Sequence, residues 1–594
     1  MTGRGEGRDA PHPGSAGGSG AGSGRVAALL CGLLPGVLAG TQVAGLLFFL
    51  NPHLPFEPRT VLRGVGYYSL LLGAATLLLH LPWAWRRPGR VRRFLPISVT
   101  VVLAAASVTA WIHASYFSFF LPPGINRRLL KAAIWLSLAT LICFYTVLVH
   151  RLRQRPYGRR SQLLFLLVSL ASVYVVVERR EAFRPEPGPA PRATTFEGST
   201  RPNLCVIGVD SATLDAILPL EERGRLPFFG KILREGSHAR LKPLLPVRRT
   251  ALWTTLGTGK YPYFHGVVGE SSYPAGFLAP GARLTLLPLG IGFEGWGLRG
   301  TSRPIDSRAL RVRPLWQILS RLGAPTGTVG WPLTSPPGEG IEITVSERFF
   351  ALGGQPEEVS PAELAERARL FETRPAEIDP AIASRFGSEP PPAVLRALAR
   401  DLWIRDLGIF LIDQEPRLEA FFLQLPGLAE VSRRYFGGFS AVQFRGVQDP
   451  RSVEAAQLVS AYYAQLDELL AGFWELLPEP RLLVVVSVHG VEEARGLREA
   501  RRRLLRRSPL DGYTDGGPEG VLTFLGDGIE PGAMLRPAEL VDLVPTLLYG
   551  LGFPIARDLD GAVLTDAFET GFLARHPLTF VPSYETFAPP TAEP

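Results

Sequence analysis

Asp210 closes the apolar run NLCVIGVD (203–210) and leads into the helix-like SATLDAIL. A carboxylate in that place either ligates a metal or caps the helix that follows, and position alone leaves both open. His489 stands at the end of RLLVVVSVHG (481–490), and Gly427 closes EAFFLQLPG (419–427). Unbroken apolar strands alternating with helices form a mostly parallel sheet, and such sheets carry their sites at the C-terminal strand ends. Asp210, Gly427 and His489 are therefore expected along one sheet edge. The three cysteines carry no such chemistry. Cys31 and Cys143 sit in apolar runs and Cys205 in a core strand, so all three read as small hydrophobic residues.

The elements that must position these residues fall into two groups. Five apolar runs, at about 26–50, 64–85, 95–120, 130–150 and 161–177, are each long enough to cross a bilayer, which takes roughly 20 residues. Arginines crowd the second and fourth connections (Arg86, Arg87, Arg90, Arg92, Arg93; Arg151, Arg153, Arg155, Arg159, Arg160), and the tail adds Arg4, Arg8 and Arg25. Positive loops mark the cytoplasmic side, so a multi-pass protein with a cytoplasmic N-terminus, five crossings and an extracytoplasmic C-terminal domain is expected. Residues 1–25 read as a flexible tail, 26–178 as the transmembrane region, 179–200 as a Pro-rich linker, 201–570 as an α/β domain and 571–594 as a second tail. The formal charge of +9 divides accordingly. Residues 1–160 hold 18 Lys/Arg and 3 Asp/Glu, a net of +15, and the remainder nets −6. The basic character belongs to the membrane, not to a nucleic-acid surface.

From 203 onward the chain resembles the alkaline phosphatase superfamily, in particular its type I phosphodiesterase and nucleotide pyrophosphatase branch. The resemblance rests on VIGVDSAT, GRLP with a following L..EG, WTTLGTGKYPYFHG (253–266), PLWQILSRLG (314–323), GWPLTSPPGEG (330–340), YYAQLDELL (462–470), VSVHG (486–490), GVLTFLGDGIEPG (520–532) and DLVPTLLYGLGFPIARDLDGAVL (542–564), in the family's order. It implies an alkaline-phosphatase-like α/β domain, which with the five apolar runs gives a five-helix transmembrane bundle followed by that domain. It also implies two divalent metals of zinc or manganese type on Asp and His ligands, gripping a phosphoryl oxygen beside a Thr or Ser nucleophile.

Carried over position by position, the resemblance gives Asp210 and His489 as remnant metal ligands and Thr250, beside Arg249, as the candidate nucleophile. The other four ligand positions read Ala429, Arg433, Val488 and Gly516. Glu430, Asp511 and Asp515 are nearby carboxylates that could still hold Ca or Mg. Arg248, Arg249 and Arg433 would converge on the old site if the fold is kept. They would then bind an anion without a metal, or form salt bridges that plug the site. His265 belongs to the family's His-Gly turn, His238 and His576 read as surface residues, and 340–415 reads as a variable insertion.

Three functions follow. The first is a membrane-anchored, catalytically degenerate phosphodiesterase-like domain that binds or scaffolds, with no metal. Its partners would be the membrane and an anionic or phosphorylated glycan or lipid, with no nucleic acid. The second is an active phosphodiesterase or phosphotransferase with one or two metals in a non-standard set. The third is a structural membrane component with an inert outer domain.

Overall fold

Apolar length dictates the first elements. In the computed structural model, helices α1 (Gly18–Leu50), α2 (Pro58–Arg86), α3 (Pro88–Tyr116), α4 (Pro123–Leu152) and α5 (Arg159–Val177) follow one another. The structure describes residues 18–86, 88–177, 201–288, 302–494, 496, 499–500, 504–505 and 508–585. Of the expected tails and linker, residues 1–17, 178–200 and 586–594 lie outside the described residues. The chain divides into two units: Met1–Phe183 with Tyr273–Ser302, and Arg184–Ser272 with Arg303–Pro594.

Among the described residues, four helices of the first unit are long and apolar enough to cross a membrane: Leu29–Leu50, Pro58–Pro82, Phe94–Tyr116 and Pro123–Leu152. By length and composition this is four where five were expected, and α5 is the helix that falls short. The fifth helix has 19 residues and opens on Arg159, Arg160, Ser161 and Gln162, which leaves only Leu163–Val177 as its apolar stretch. The α1 span is 78% buried against 22–28% for the other three, so α1 is the inner helix. Its glycines make that possible. A Cβ on Gly40 would lie 2.4 Å from the Tyr68 carbonyl oxygen, and one on Gly36 2.2 Å from that of Leu72. Small residues four apart let two membrane helices meet backbone to backbone. Outward, Leu70, Leu79, Trp135, Leu141 and Tyr145 are exposed, an apolar surface suited to lipid.

One stretch from the middle of the sequence joins this helical unit. Asn51, fully buried at the end of α1, accepts hydrogen bonds from the backbone N–H of Thr285 (2.7 Å) and Leu286 (3.1 Å) and donates to the Leu286 carbonyl (2.8 Å). Phe277 stacks on Tyr67 at 4.4 Å. Ala275, Leu278, Leu284 and Leu287 share a core with Leu47, Phe48 and Leu54.

The second unit is built on a ten-stranded mixed sheet. Its strands are β1 (Asn203–Val209), β2 (Ser237–Lys242), β3 (Thr326–Val329), β4 (Ile343–Val345), β5 (Val359–Ser360), β6 (Ala420–Leu425), β7 (Arg481–Ser487), β8 (Gly520–Gly526), β9 (Ala533–Met534) and β10 (Ala538–Glu539). The spatial order is β9-β2-β8-β7-β1-β6-β3-β4-β5, with β10 also on β2. Strands β7, β1, β6, β3 and β4 run parallel, whereas β8 is antiparallel to β7 and β2, and β5 to β4. Val206 lies between Val484 and Phe422. Both faces of β1 are covered, which is why its sequence is apolar without alternation. Long helices Pro392–Gln414, Gly427–Arg445 and Pro450–Leu476 supply much of that cover.

Candidate functional site

The strand β1 delivers Asp210 to the sheet edge, 1% exposed. The next residue, Ser211, has φ of 67°, a left-handed conformation uncommon for a side-chain-bearing residue and typical of tight functional turns. Asp210 does not cap the following helix. Thr213 does, its hydroxyl accepting from the Asp215 N–H at 3.3 Å.

Both carboxylate oxygens of Asp210 are engaged from one helix, Arg249–Thr258. Arg249 Nε donates to Oδ2 at 2.5 Å, and Trp253 Nε1 donates to Oδ1 at 2.7 Å. A spacing of four residues puts the two donors on one helix face. The Trp253 ring occupies the space a side chain at Gly208 would need, with a Cβ there 2.6 Å from the ring. Trp331 meets it edge-on at 5.2 Å, and Phe422 and Trp316 extend the aromatic floor. Burial opposes the charge of Arg249, but Asp210 and, beyond it, Glu270 and Glu347 more than offset this and hold the guanidinium above its ordinary pKa.

Thr250 takes a different partner. Its N–H donates to Glu270 Oε1 (3.0 Å) and its hydroxyl to Glu270 Oε2 (2.5 Å), so Glu270 caps this helix N-terminus. Arg248 flanks the helix at its N-cap. Arg433 is exposed on Gly427–Arg445 and makes no ion pair among the described residues. The neighbouring Arg434 pairs with Glu430 at 3.5 Å. Of the three arginines expected to converge, Arg249 pairs with Asp210, Arg248 stands next to it at the helix N-cap, and Arg433 is exposed on its own helix.

His489 is buried, with Nδ1 2.9 Å from the Gly490 carbonyl, a contact that places the ring proton on Nδ1. Ser487 accepts from the Ala212 N–H (3.1 Å) and donates to the His489 carbonyl (2.8 Å), tying the ends of β1 and β7 together. Val488 is fully buried, Ala429 and Gly516 are half-buried, and Asp515 is exposed. Among the described residues, no group of three or more His, Cys, Asp or Glu could hold a metal ion. His265 is a core residue, its Nε2 3.0 Å from the Thr255 hydroxyl, and burial lowers it to a pKa of about 3. His238 and His576, read as surface residues, are half-buried. One sits in β2, and the other stacks on Phe572 at 4.3 Å.

Two acidic residues that sequence reasoning missed stand close to this edge. Asp401 is fully buried and accepts from the Gly427 N–H (3.0 Å) and the Tyr462 hydroxyl (2.8 Å). Burial raises its pKa to about 7, against the hydrogen bonds, and the Asp210 charge adds to the rise. It lies on the buried stripe Val394, Ala397, Leu398, Asp401, Ile404 of its helix. A carboxylate in register with an apolar helical face is the signal that marks it. Glu347, also raised by burial, accepts from the N–H groups of Leu333 (3.2 Å) and Thr334 (3.1 Å).

A parallel-centred sheet with polar residues at its C-terminal strand ends is an α/β domain of the kind that carries its site there. A profile of the type I phosphodiesterase / nucleotide pyrophosphatase family matches residues 204–508, and the chain belongs to that family. Its members usually depend on divalent metal ions.

Proposed function

We propose that this is a membrane-anchored, extracytoplasmic member of the phosphodiesterase family whose outer domain is catalytically degenerate and acts as a binding or scaffold module. One observation carries the reading: the Arg249 guanidinium sits 2.5 Å from Asp210, with Trp253 on the other oxygen. A permanent cation on the one well-placed carboxylate occupies the position a divalent ion would need. The residues present do not fit a metal pair. Ala429, Arg433, Val488 and Gly516 supply no ligand, and Thr250 gives its hydroxyl to Glu270. Glu270 and Glu347 around Arg249 also disfavour capture of a phosphate there, so the plugged site is the better reading of these arginines. Anionic or phosphorylated glycans or lipids, if bound, attach elsewhere on the domain.

The extracytoplasmic placement requires α5 to cross as well. Its support is the arginine-rich connections and the exposed Leu163, Leu166, Leu167 and Leu170 on α5, an apolar face that needs lipid. A reporter fused after residue 190 is expected to be active only outside the cytoplasm. Cytoplasmic activity would refute the placement.

For the chemistry, the full chain in detergent is the right sample, because Tyr273–Ser302 groups with the helices. Bound zinc, manganese and calcium are expected far below one per chain, and a nitrophenyl phosphodiester is expected to be hydrolysed no faster than in buffer. Near-stoichiometric metal, with turnover abolished in Asp210→Ala or Thr250→Ala, would overturn the degenerate reading in favour of an active enzyme.

A further inference from the structure

The connection between α4 and α5 collects positive charge that nothing near it in the sequence neutralises. Arg151, Arg153, Arg155, Arg159 and Arg160 fall within ten residues, and no Asp or Glu occurs between Glu57 and Glu178. All five arginines are exposed, and none makes an ion pair among the described residues. Arg159 and Arg160 open α5, whose first turn holds no acidic residue. A helix N-terminus is itself positive, so cations there are repelled by the macrodipole. The corner therefore carries uncompensated positive potential.

The corner is also folded. His150 Nε2 lies 2.8 Å from Ser161 Oγ, which holds the end of α4 level with the start of α5. Its Nδ1 lies 3.2 Å from the Arg155 carbonyl oxygen, and the Arg155 N–H donates to the His150 carbonyl at 3.2 Å. The His150 ring rests on Tyr157 at 4.5 Å, and Tyr157 meets Phe165 of α5 edge-on at 6.1 Å. Gln154 takes a φ of 48° as the chain turns. An orientation signal asks only for positive charge, not for a fixed loop. The apolar span of α4 ends at Leu152, and the apolar stretch of α5 begins at Leu163. The arginines thus stand at the level where hydrocarbon gives way to headgroups.

We propose that this corner binds the headgroup of a phospholipid with net negative charge. Guanidinium groups engage phosphate oxygens bidentately, and basic residues beside a membrane span draw anionic lipid. A choline headgroup has the same phosphodiester but adds a cation, which the neighbouring arginines repel. The inference rests on α4 crossing the membrane and not on the reading of the outer domain.

The test uses the full chain in neutral detergent, with equal amounts of phosphatidylglycerol and phosphatidylcholine of matched chains, and counts bound lipid by native mass spectrometry. Phosphatidylglycerol is expected to bind about tenfold or more above phosphatidylcholine, and added salt should shrink the ratio. Arg151→Gln, Arg153→Gln and Arg155→Gln together should bring the ratio below about threefold. Arg59→Gln with Arg63→Gln, at the start of α2, should leave it unchanged. Helix content and monodispersity check that both variants fold. Equal binding of the two lipids by the unaltered chain would overturn the proposal. So would a ratio that the triple variant leaves intact, or one that the Arg59 and Arg63 changes lower as much. Displacement of the bound lipid by inorganic phosphate would show that a free anion suffices and would overturn the lipid as occupant.

Discussion

At the scale of single residues, Asp210 is stable as a buried carboxylate because Arg249 neutralises it and Trp253 donates to it. Removing one member of a buried pair leaves an uncompensated charge. Arg249 is 40% exposed, and solvent screening reduces the cost. Arg249→Ala is therefore expected to destabilise the domain by about 1–3 kcal/mol. Adding Asp210→Asn to it should recover part of the loss in a denaturant melt, and purely additive effects would show the pair is not coupled. Asp401 makes a pH prediction. Its pKa rises from 3.8 to about 7 on folding, so in that window the folded chain holds more protons than the unfolded one. Its contribution to stability is complete below about pH 4 and is lost as the pH climbs through 7. Asp467, raised to about 6 by burial while accepting from the N–H groups of Phe228 and Phe229, acts in the same direction. Asp401→Asn can still accept from Gly427 and turn a donor toward Tyr462. It should flatten the fall in melting temperature between pH 5 and pH 7 (about the titration window). An unchanged slope would show that Asp401 is not the group responsible. Asp210 and His489 were legible in the sequence because strand ends in a parallel sheet are marked by where apolar runs stop. Glu270 left no such mark. It becomes the cap of Arg249–Thr258 only because a later loop brings it beside Thr250.

At the scale of elements, two contacts hold the helical unit together in ways that length and hydropathy do not encode. Asn51 anchors residues 273–288, and Asn51→Ala would leave the Thr285 and Leu286 N–H groups without their acceptor. Each such group costs about 1–3 kcal/mol if it stays buried. The expected result is faster proteolysis within 273–288 with the α/β unit still folded, and an unchanged cleavage rate would count against the clamp. Gly40 at the α1–α2 crossing has no room for a side chain, whereas a Cβ on Gly66 would meet nothing within 4 Å. Gly40→Leu is expected to lower the melting temperature in detergent strongly, and Gly66→Leu to stay within about 0.5 kcal/mol of the parent. Equal effects would mean that the crossing does not depend on backbone contact. The α5 helix, with its shorter apolar stretch, is the one element whose membrane role its own sequence leaves to its neighbours. Its buried side is tied to α1 through Gln42 and Ser172.

At the scale of the molecule, charge and hydropathy separate into two units with different physics. The first 160 residues net +15 and carry the apolar spans, and the remainder nets −6 and carries the family domain. The sequence by itself determined four of the apolar spans, the apolar strands at the centre of the sheet and the family, because these follow from local runs of apolar residues and from motifs that survive in order. Tertiary structure alone decided the rest. Arg249, not Thr250, reaches Asp210, and Arg433 stays in solvent. Residues 273–288 return to the helices, and five alanines with Gln42 line a pocket. The reason is physical. Burial and hydrogen bonding along one segment are written in its own residues, whereas which cation meets a buried carboxylate, or which side chains leave a space between helices, depends on groups brought together from distant parts of the chain.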